Sequence, residues 1–321
     1  MQIGKRFISD WKAWWTTLPT SQKFLPALLV ALYVSFLIFV GGLRTDHIVI
    51  FIVLLGLCYG GGIARILLGY FLPFLLTGII YDSQRYYSDY IRGRIHVLEP
   101  YLFDKTFFGI ETSFGRLTPN EFLQHHILPV LDVITGFAYL VFFGAFMAIA
   151  AYFIFYLSRK GTRTLSPVRI KQMAPRMTWA FFWLNMIGYS TYYWYAAAPP
   201  WYVEKYGLGP ARMDVQASSA GCIRFDQIVG THFFSGFYGR AADVFGAVPS
   251  LHISYPLLAV LFAFQFGSLR IFCVLFYLLM CFSAVYLNHH YILDILWGST
   301  YALFTYWLVH LVGDRRTGVA A

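Results

Sequence analysis

The sequence predicts an all-α integral membrane protein, built as a helical bundle of about eight transmembrane helices. Hydrophobic residues make up 59% of its 321 residues and charged residues only 12%, and the mean hydropathy is +0.60. Soluble domains carry about 25% charged residues, so this composition excludes a soluble fold. Several apolar segments also reach the roughly 20 residues that a helix needs to span a hydrocarbon core of about 30 Å.

Residues 1 to 23 predict an amphipathic helix at the membrane interface, because three tryptophans, Trp11, Trp14 and Trp15, are interspersed with basic residues. The apolar run from 24 to 43 is long enough to form the first transmembrane helix. It lacks a small-residue cleavage site, so we interpret it as a retained span and not as a signal peptide.

Residues 48 to 81 are apolar but too long for a single span. Glycines occupy positions 60 to 62, and Arg65 follows them, which favours two helices joined by a tight turn. The first helix would be short for a membrane span, so a re-entrant hairpin is the alternative. Further spans are predicted near 127 to 157, 177 to 198, 251 to 267, 270 to 288 and 291 to 312. We expect a single transmembrane domain over 24 to 312 and a cytoplasmic tail over 313 to 321.

The distribution of basic residues predicts the topology. The formal net charge is +9, and the loop from 158 to 176 contains six basic residues and no acidic one. Basic loops of this kind remain in the cytoplasm and contact anionic lipids, so the charge does not imply a nucleic-acid partner. If both termini are also cytoplasmic, eight crossings place segments 82 to 125, 199 to 250 and 288 to 290 on the opposite face.

Two histidine motifs on that face predict a catalytic centre. His290 and Asp294 are four residues apart, so on a helix the carboxylate holds one imidazole nitrogen and leaves the other free. His252 follows Ser250 at the start of an apolar run, where the first-turn amides of a helix can bind phosphate. An isolated pair of this kind is usually only a local hydrogen bond. Here the chain runs from His252 through two apolar segments and returns to the same side at His290. We therefore predict that a phosphate binds between the two histidines.

These residues resemble the motifs of the type-2 phosphatidic acid phosphatase superfamily. Pro249, Ser250 and His252 match its PSGH motif, and Ser283, His290 and Asp294 match its SRxxxxxHxxxD motif. Lys205 and Arg212 have the spacing of its KxxxxxxRP motif, with Met213 in place of the proline. The resemblance implies a six-helix phosphatase-type core within the bundle.

Two departures from these motifs narrow the implied function. Leu251 replaces the glycine of PSGH, and Ala284 replaces the arginine that clamps phosphate, which argues against a simple phosphomonoesterase. Segments 196–202, 224–230 and 289–294 resemble instead the fungal inositol phosphorylceramide synthases and their bacterial relatives. That resemblance implies transfer of inositol phosphate from a phospholipid to a lipid alcohol such as ceramide. A lipid phosphate phosphatase that uses water and a non-enzymatic channel or scaffold are the alternatives.

The resemblance also implies roles for individual residues. His290 would attack phosphorus and form a phosphohistidine, Asp294 would stabilise its imidazolium, and His252 would act first as acid and then as base. The candidates for binding phosphate oxygens are Lys205, Arg212, Arg224 and Ser250. Arg224 alternatively pairs with Asp226, and Lys205 alternatively anchors the chain at the interface.

The segment from 82 to 125 mixes charged and aromatic residues and allows two interpretations. One is a solvated loop whose aromatic side chains lie at the membrane interface. The other, based on the same resemblance, is a lid over the lipid entrance. Possible headgroup or lid contacts are Asp82, Arg85 and His289.

We expect neither a metal nor a cofactor. The adjacent His289 and His290 would point in different directions on a helix, and neither a phosphate-binding P-loop nor a dinucleotide motif occurs. The predicted partners are a phospholipid donor, a lipid alcohol acceptor and the bilayer, without nucleic acid. The expected location is a bacterial inner membrane with the active site facing the periplasm, or a Golgi membrane with a lumenal site if the chain is eukaryotic.

Overall fold

The structure is a computed structural model that describes residues 11 to 113, 115 to 238 and 243 to 317, the last three by their backbone alone. The first ten residues of the predicted interfacial helix lie outside the described residues. The same holds for the end of the predicted tail beyond residue 317 and for the side chains of Arg315 and Arg316. The chain divides into two compact units, residues 1 to 79 and 80 to 321.

The first unit includes α1 (Thr20–Phe39), α2 (Thr45–Tyr59) and most of α3 (Gly62–Ser83). The break between α2 and α3 falls at the predicted glycines, where Gly61 adopts a φ of +98° that residues with a side chain rarely accept. Residues 11 to 17 are helical, and the Trp11 indole donates a hydrogen bond to the carbonyl of Tyr59 at 2.6 Å. The interfacial position of this helix remains a prediction.

The second unit has a core of five long helices among the described residues, where the resemblance to the superfamily implies a six-helix core within the bundle of about eight. They are α7 (Pro129–Ala151), α9 (Pro175–Trp194), α13 (Leu251–Phe266), α14 (Arg270–Tyr286) and α15 (Ile292–Thr317). Helix α13 contacts the other four. It is buried over much of its length, with Ile253, Leu258 and Phe262 fully enclosed. A helix that is apolar on all sides suits this central position.

Shorter helices connect the long ones. They are α4 (Ser88–Ile91), α5 (Leu98–Phe108), α6 (Pro119–Gln124), α8 (Pro167–Met173), α10 (Pro200–Tyr206), α11 (Cys222–Val229) and α12 (Phe233–Tyr238). Helix α7 continues through a π-helical stretch, Tyr152–Leu157, into the single turn Ser158–Lys160. Strands β1 (Ile110–Thr112) and β2 (Gly115–Leu117) form an antiparallel hairpin between α5 and α6.

Within the part of the chain that the structure describes, four helices are long and apolar enough to cross a membrane: Thr20–Phe39, Gly62–Tyr86, Pro129–Lys160 and Ile292–Asp314. Helices α2, α13 and α14 are apolar but shorter, and α9 has 20 residues but is less apolar. The chain is therefore an integral membrane protein. The predicted count of about eight spans is not established by helix length and composition, and it remains a prediction.

The segment from 82 to 125 is folded and not a simple solvated loop. Helices α5 and α6 contact α15 and α14, and they bury two polar side chains, Asp104 and Asn120. Extended backbone near His96 forms parallel bridges to Ala197, which bridges in turn to Gly246. Parts of the three loops that are predicted to share one membrane face thus meet around the histidine motifs.

Candidate active site

The turn between α14 and α15 places His290. Helix α14 ends at Tyr286, and the amides of His289 and His290 both donate to the carbonyl of Ala284 at 3.1 Å. Helix α15 begins at Ile292, so His290 lies just before the helix and not within it. The predicted contact is nevertheless present, because Nδ1 of His290 lies 3.2 Å from Oδ2 of Asp294.

A second acceptor fixes the tautomer of His290. Its Nδ1 also lies 3.1 Å from the carbonyl oxygen of Ala247, in the loop that precedes α13. Since a carboxylate and a carbonyl both accept hydrogen bonds, we assign the proton of the neutral ring to Nδ1. Burial lowers the pKa of His290, against the opposing effect of the bond to Ala247. The ring is therefore neutral near pH 7, with a lone pair on Nε2 available for attack.

His252 faces this lone pair from the first turn of α13. Its Nδ1 lies 3.2 Å from Nε2 of His290. Two links hold the start of α13 against α15: the amide of Ser250 donates to the carbonyl of Asp294 at 3.0 Å, and Oγ of Ser254 donates to the carbonyl of Gly298 at 2.9 Å. The two motifs therefore form one rigid centre across two helix starts.

Two polar atoms beside the histidines are buried but have no hydrogen-bond partner among the described residues. They are Oγ of Ser250 and Oδ1 of Asp294, and both residues are fully enclosed. The first-turn amides of α13 also lack intrahelical acceptors, as in any helix. A phosphoryl group entering here would accept hydrogen bonds from Ser250 and from these amides.

A column of four aromatic rings stands beside the centre. The ring of Tyr139 stacks on His252 at 4.9 Å and on His289 at 5.4 Å, and the ring of Tyr238 stacks on His289 at 4.9 Å. Nε2 of His289 lies 3.1 Å from the carbonyl oxygen of Ser219. His289 thus points into this column, away from Asp294. No group of three or more metal-ligating side chains occurs in the part of the chain that the structure describes.

The structure places the predicted cations apart from the histidine pair. Lys205 is exposed at the end of α10, and Arg212 is 58% exposed and paired with Asp214 at 3.3 Å. Lys205 lines two cavities of about 520 and 470 Å³. Asp82 and Arg85 form an ion pair with each other at 2.5 Å. The roles of these four residues at the phosphate remain predictions.

Arg224 has a different partner from the one expected. Its Nε donates to Asp132 at 2.6 Å, and its other nitrogens reach Gln124 and the carbonyl of Tyr286. The alternative pairing with Asp226 is wrong, because Asp226 accepts hydrogen bonds from the backbone of α12. Arg224 therefore helps to hold the end of α14, while it also lines the cavity of about 470 Å³.

Sequence reasoning missed Asp104 and Asn120. The side chain of Asn120 donates to the carbonyl of His290, 170 positions away, and Asp104 accepts from the amide of Ile292, 188 positions away. No local spacing identifies contacts at such distances. The only available signal was a carboxylate and an amide within otherwise aromatic segments.

Comparisons with known proteins identify the family of this chain. A family model described as the PAP2 superfamily matches residues 114 to 308. The phosphoinositol dihydroceramide synthase of Bacteroides thetaiotaomicron is 33% identical over 315 residues, which cover 93% of this chain and 97% of the relative. No solved structure matches the chain significantly.

Two fungal relatives match a shorter region. The inositol phosphorylceramide synthase catalytic subunit of Schizosaccharomyces pombe is 34% identical over 131 residues, and that of Saccharomyces cerevisiae is 32% identical over 127 residues. These alignments cover 40% and 39% of this chain but only 31% and 32% of the fungal proteins. The family match, the relative that aligns over almost the whole length and the paired histidines lead to one conclusion: this chain belongs to the PAP2 superfamily, in the branch that contains the inositol phosphorylceramide synthases.

Proposed function

We propose that this protein is a membrane phosphotransferase that moves a phospho-headgroup from a phospholipid to a lipid alcohol through a phosphohistidine at His290. The observation that carries this proposal is the alignment of Asp294, His290 and His252 through hydrogen-bonding distances of 3.2 Å and 3.2 Å. Such an arrangement of orienting acid, nucleophile and proton donor suits covalent catalysis. The headgroup is inositol phosphate and the acceptor is a ceramide, by likeness to the named relatives.

In the first half-reaction, the phosphodiester enters beside the two histidines and displaces His252 from its 3.2 Å contact with Nε2 of His290. Nε2 of His290 attacks phosphorus and the bond to the diacylglycerol oxygen breaks. His252, which begins this step as the imidazolium, donates a proton to that oxygen and becomes neutral. The resulting imidazolium of His290 keeps its Nδ1 proton towards Asp294 and Ala247. Oγ of Ser250 and the first-turn amides of α13 bind the phosphoryl oxygens.

In the second half-reaction, the hydroxyl of the lipid alcohol takes the place of diacylglycerol. His252 removes its proton, the new phosphorus–oxygen bond forms, and the bond to His290 breaks. The headgroup thus leaves one lipid and joins another, with both protein side chains restored. No external energy source is required, because one phosphate ester replaces another.

The surroundings of Ala284 favour a transferase over a phosphatase. Ala284 occupies the place of the motif arginine, and it is fully buried in an apolar cluster with Tyr139 and Met280. A dianionic phosphomonoester would lack the cation that the motif normally supplies. A phosphodiester carries only one negative charge and depends less on that cation.

Topology and location are part of the proposal. We place the histidine centre on the non-cytoplasmic face, in a bacterial inner membrane facing the periplasm or, in a eukaryote, in a Golgi membrane facing the lumen. The predicted cytoplasmic loop at 158 to 176 and its six basic residues support this orientation. The aromatic helices α4 to α6 of segment 82 to 125 then cover the lipid entrance from that side.

A transfer assay in detergent tests the function. Phosphatidylinositol labelled in its inositol is supplied with and without a ceramide, and the products are separated. We expect label on the sphingolipid, with diacylglycerol released in equal amount. Label that appears chiefly as free inositol phosphate with every lipid alcohol, or faster cleavage of phosphatidic acid, would establish the phosphatase instead.

A further inference from the structure

Helices α5 and α6 lie against the turn that carries His290. Each helix contributes one buried polar side chain to this contact: Asp104 from α5 and Asn120 from α6. Neither residue belongs to the three superfamily motifs, and neither touches the imidazole of His290. Both bind the backbone on either side of it.

Asp104 holds the start of α15. Its Oδ2 accepts a hydrogen bond from the amide of Ile292 at 2.7 Å, and its Oδ1 accepts one from the amide of Leu293 at 3.0 Å. Amides in the first turn of a helix have no acceptor within the helix, so a carboxylate placed there fixes where the helix begins. His290 lies two residues before that point.

Asn120 holds the other side of the turn. Its Nδ2 donates to the carbonyl of His290 and to the carbonyl of Val285, both at 3.0 Å. Val285 lies in the last turn of α14, and its carbonyl also accepts a hydrogen bond from the amide of Asn288 at 3.0 Å. Gln124 donates to the next carbonyl, that of Tyr286, at 3.0 Å. One amide side chain therefore ties the end of α14 directly to the nucleophile.

Helices α5 and α6 are themselves joined. The hydroxyl of Tyr101 donates to Glu121 at 3.0 Å, and Lys105 donates to the same hydroxyl at 2.8 Å. Glu121 also accepts from the amide of Thr118 and so closes the capping box of α6. Asp104 and Asn120 consequently belong to one connected support beneath the His290 turn.

We propose that Asp104 and Asn120 are positioning residues, which set the location and the direction of the His290 imidazole for attack on phosphorus. The inference rests on the proposed function, since it takes His290 as the nucleophile. The His290 imidazole is held by two contacts on Nδ1 and by the contact of Nε2 with His252, which the substrate must displace. Its position during attack therefore depends on the backbone that Asp104 and Asn120 hold. Displacement of a reacting group by about 1 Å costs roughly 100-fold in rate.

Asp104→Asn and Asn120→Ala test this role, with Asp226→Asn as the matched control. Asp226 is as deeply buried as Asp104 and accepts from the amides of Phe234 and Ser235, both at 3.1 Å. It therefore performs the same structural task on α12, a helix that carries none of the three catalytic residues. The full-length proteins are purified in detergent, and kcat, KM and the thermal midpoint are measured for diacylglycerol release from the phospholipid that the wild type cleaves fastest.

We expect kcat to fall roughly 10- to 100-fold in Asp104→Asn and in Asn120→Ala. KM should change by less than about threefold, because the loss concerns the transition state and not substrate binding. Asp226→Asn should lower the thermal midpoint to a similar extent while keeping kcat within about threefold of the wild type. If Asp104 and Asn120 only stabilised the fold, their variants and Asp226→Asn would lose kcat to the same extent for the same loss of stability.

Two results would overturn the inference. One is a wild-type kcat in folded Asp104→Asn and Asn120→Ala. The other is an equal loss of kcat in Asp226→Asn at the same folded fraction. A parallel His290→Ala variant separates this failure from failure of the proposed function: if it still releases diacylglycerol, the nucleophile is wrong and the inference falls with it. A preferred donor other than phosphatidylinositol leaves the comparison valid, because the first half-reaction is the same.

Discussion

Nδ1 of His252 lies 3.2 Å from Nε2 of His290, although 38 positions of chain separate the two residues. A helical hairpin, α13 and α14, connects them and returns to the level at which it began. At this distance the two nitrogens are in direct hydrogen-bonding contact, so a phosphate that binds here must move the two rings apart. In the proposed mechanism the phosphate then lies within reach of the nucleophile, His290, and of the proton donor, His252.

We predict that His290→Ala and Asp294→Asn differ in severity. Loss of the nucleophile should reduce headgroup release by at least about 1,000-fold, as expected for a residue that forms the covalent intermediate. Asp294→Asn keeps the shape of the side chain but removes the charge that stabilises the imidazolium, so we expect a loss of roughly 10- to 100-fold in kcat. Initial rates of diacylglycerol release measure both.

We predict that His289→Phe retains most of the activity. A phenyl ring preserves the stacking of His289 between Tyr139 and Tyr238, and the contacts that are lost are those of Nε2 with the carbonyl of Ser219 and with Sγ of Cys222. Activity within about fivefold of the wild type is expected, since the ring is directed away from Asp294. Equal loss at 289 and 290, with the fold intact, would mean that the nucleophile is misassigned or that the two rings share a metal.

Local patterns predicted the contacts that depend on spacing along one element. The four-residue spacing of His290 and Asp294 predicted their contact, and the glycines at 60 to 62 predicted the helix break. Arg224 escaped prediction because its partner, Asp132, lies 92 positions away, while Asp226 was closer in sequence. Asp104 and Asn120 escaped for the same reason. Contacts between residues so far apart in sequence are determined by tertiary packing, which local sequence patterns do not predict.

The predicted topology is tested with single cysteines. Thr164 lies in the basic loop and Ser235 in α12, and both side chains are exposed. In intact cells, a membrane-impermeant thiol reagent should label Ser235→Cys and leave Thr164→Cys unlabelled until the membrane is opened. The four native cysteines are buried or partly buried, and a chain with all four replaced provides the background. Labelling at 164 and not at 235 would invert the topology.

We predict that the reaction does not depend on a metal ion. In the proposed mechanism the attack uses an imidazole nitrogen, and Ser250 with backbone amides binds the phosphoryl oxygens, so EDTA should leave the rate within about twofold of its starting value. The measurement is the transfer rate after dialysis against EDTA. Complete inhibition that zinc or magnesium restores would contradict the assignment.

The pH dependence of stability should reveal Asp104. Burial raises the pKa of Asp104 from 3.8 to about 7 in the folded chain. The folded chain therefore binds a proton on Asp104 more tightly than the unfolded chain does. The stabilisation that this proton provides is fully present below the unfolded pKa and is lost as the pH rises through about 7. We therefore compare the thermal midpoints of the wild type and of Asp104→Asn at each pH. The difference, wild type minus variant, should decrease between pH 5 and pH 8. A difference that stays constant or increases would contradict the shift.

The covalent intermediate at His290 is tested most directly by trapping it. The protein is mixed with phosphatidylinositol in detergent without a lipid alcohol, quenched at alkaline pH, where phosphohistidine survives, and digested for mass spectrometry. We predict an inositol phosphate adduct on His290, which disappears when ceramide is added before the quench and never forms in His290→Ala. An adduct on His252 or His289, or diacylglycerol release without any adduct in a rapid-quench time course, would contradict the account.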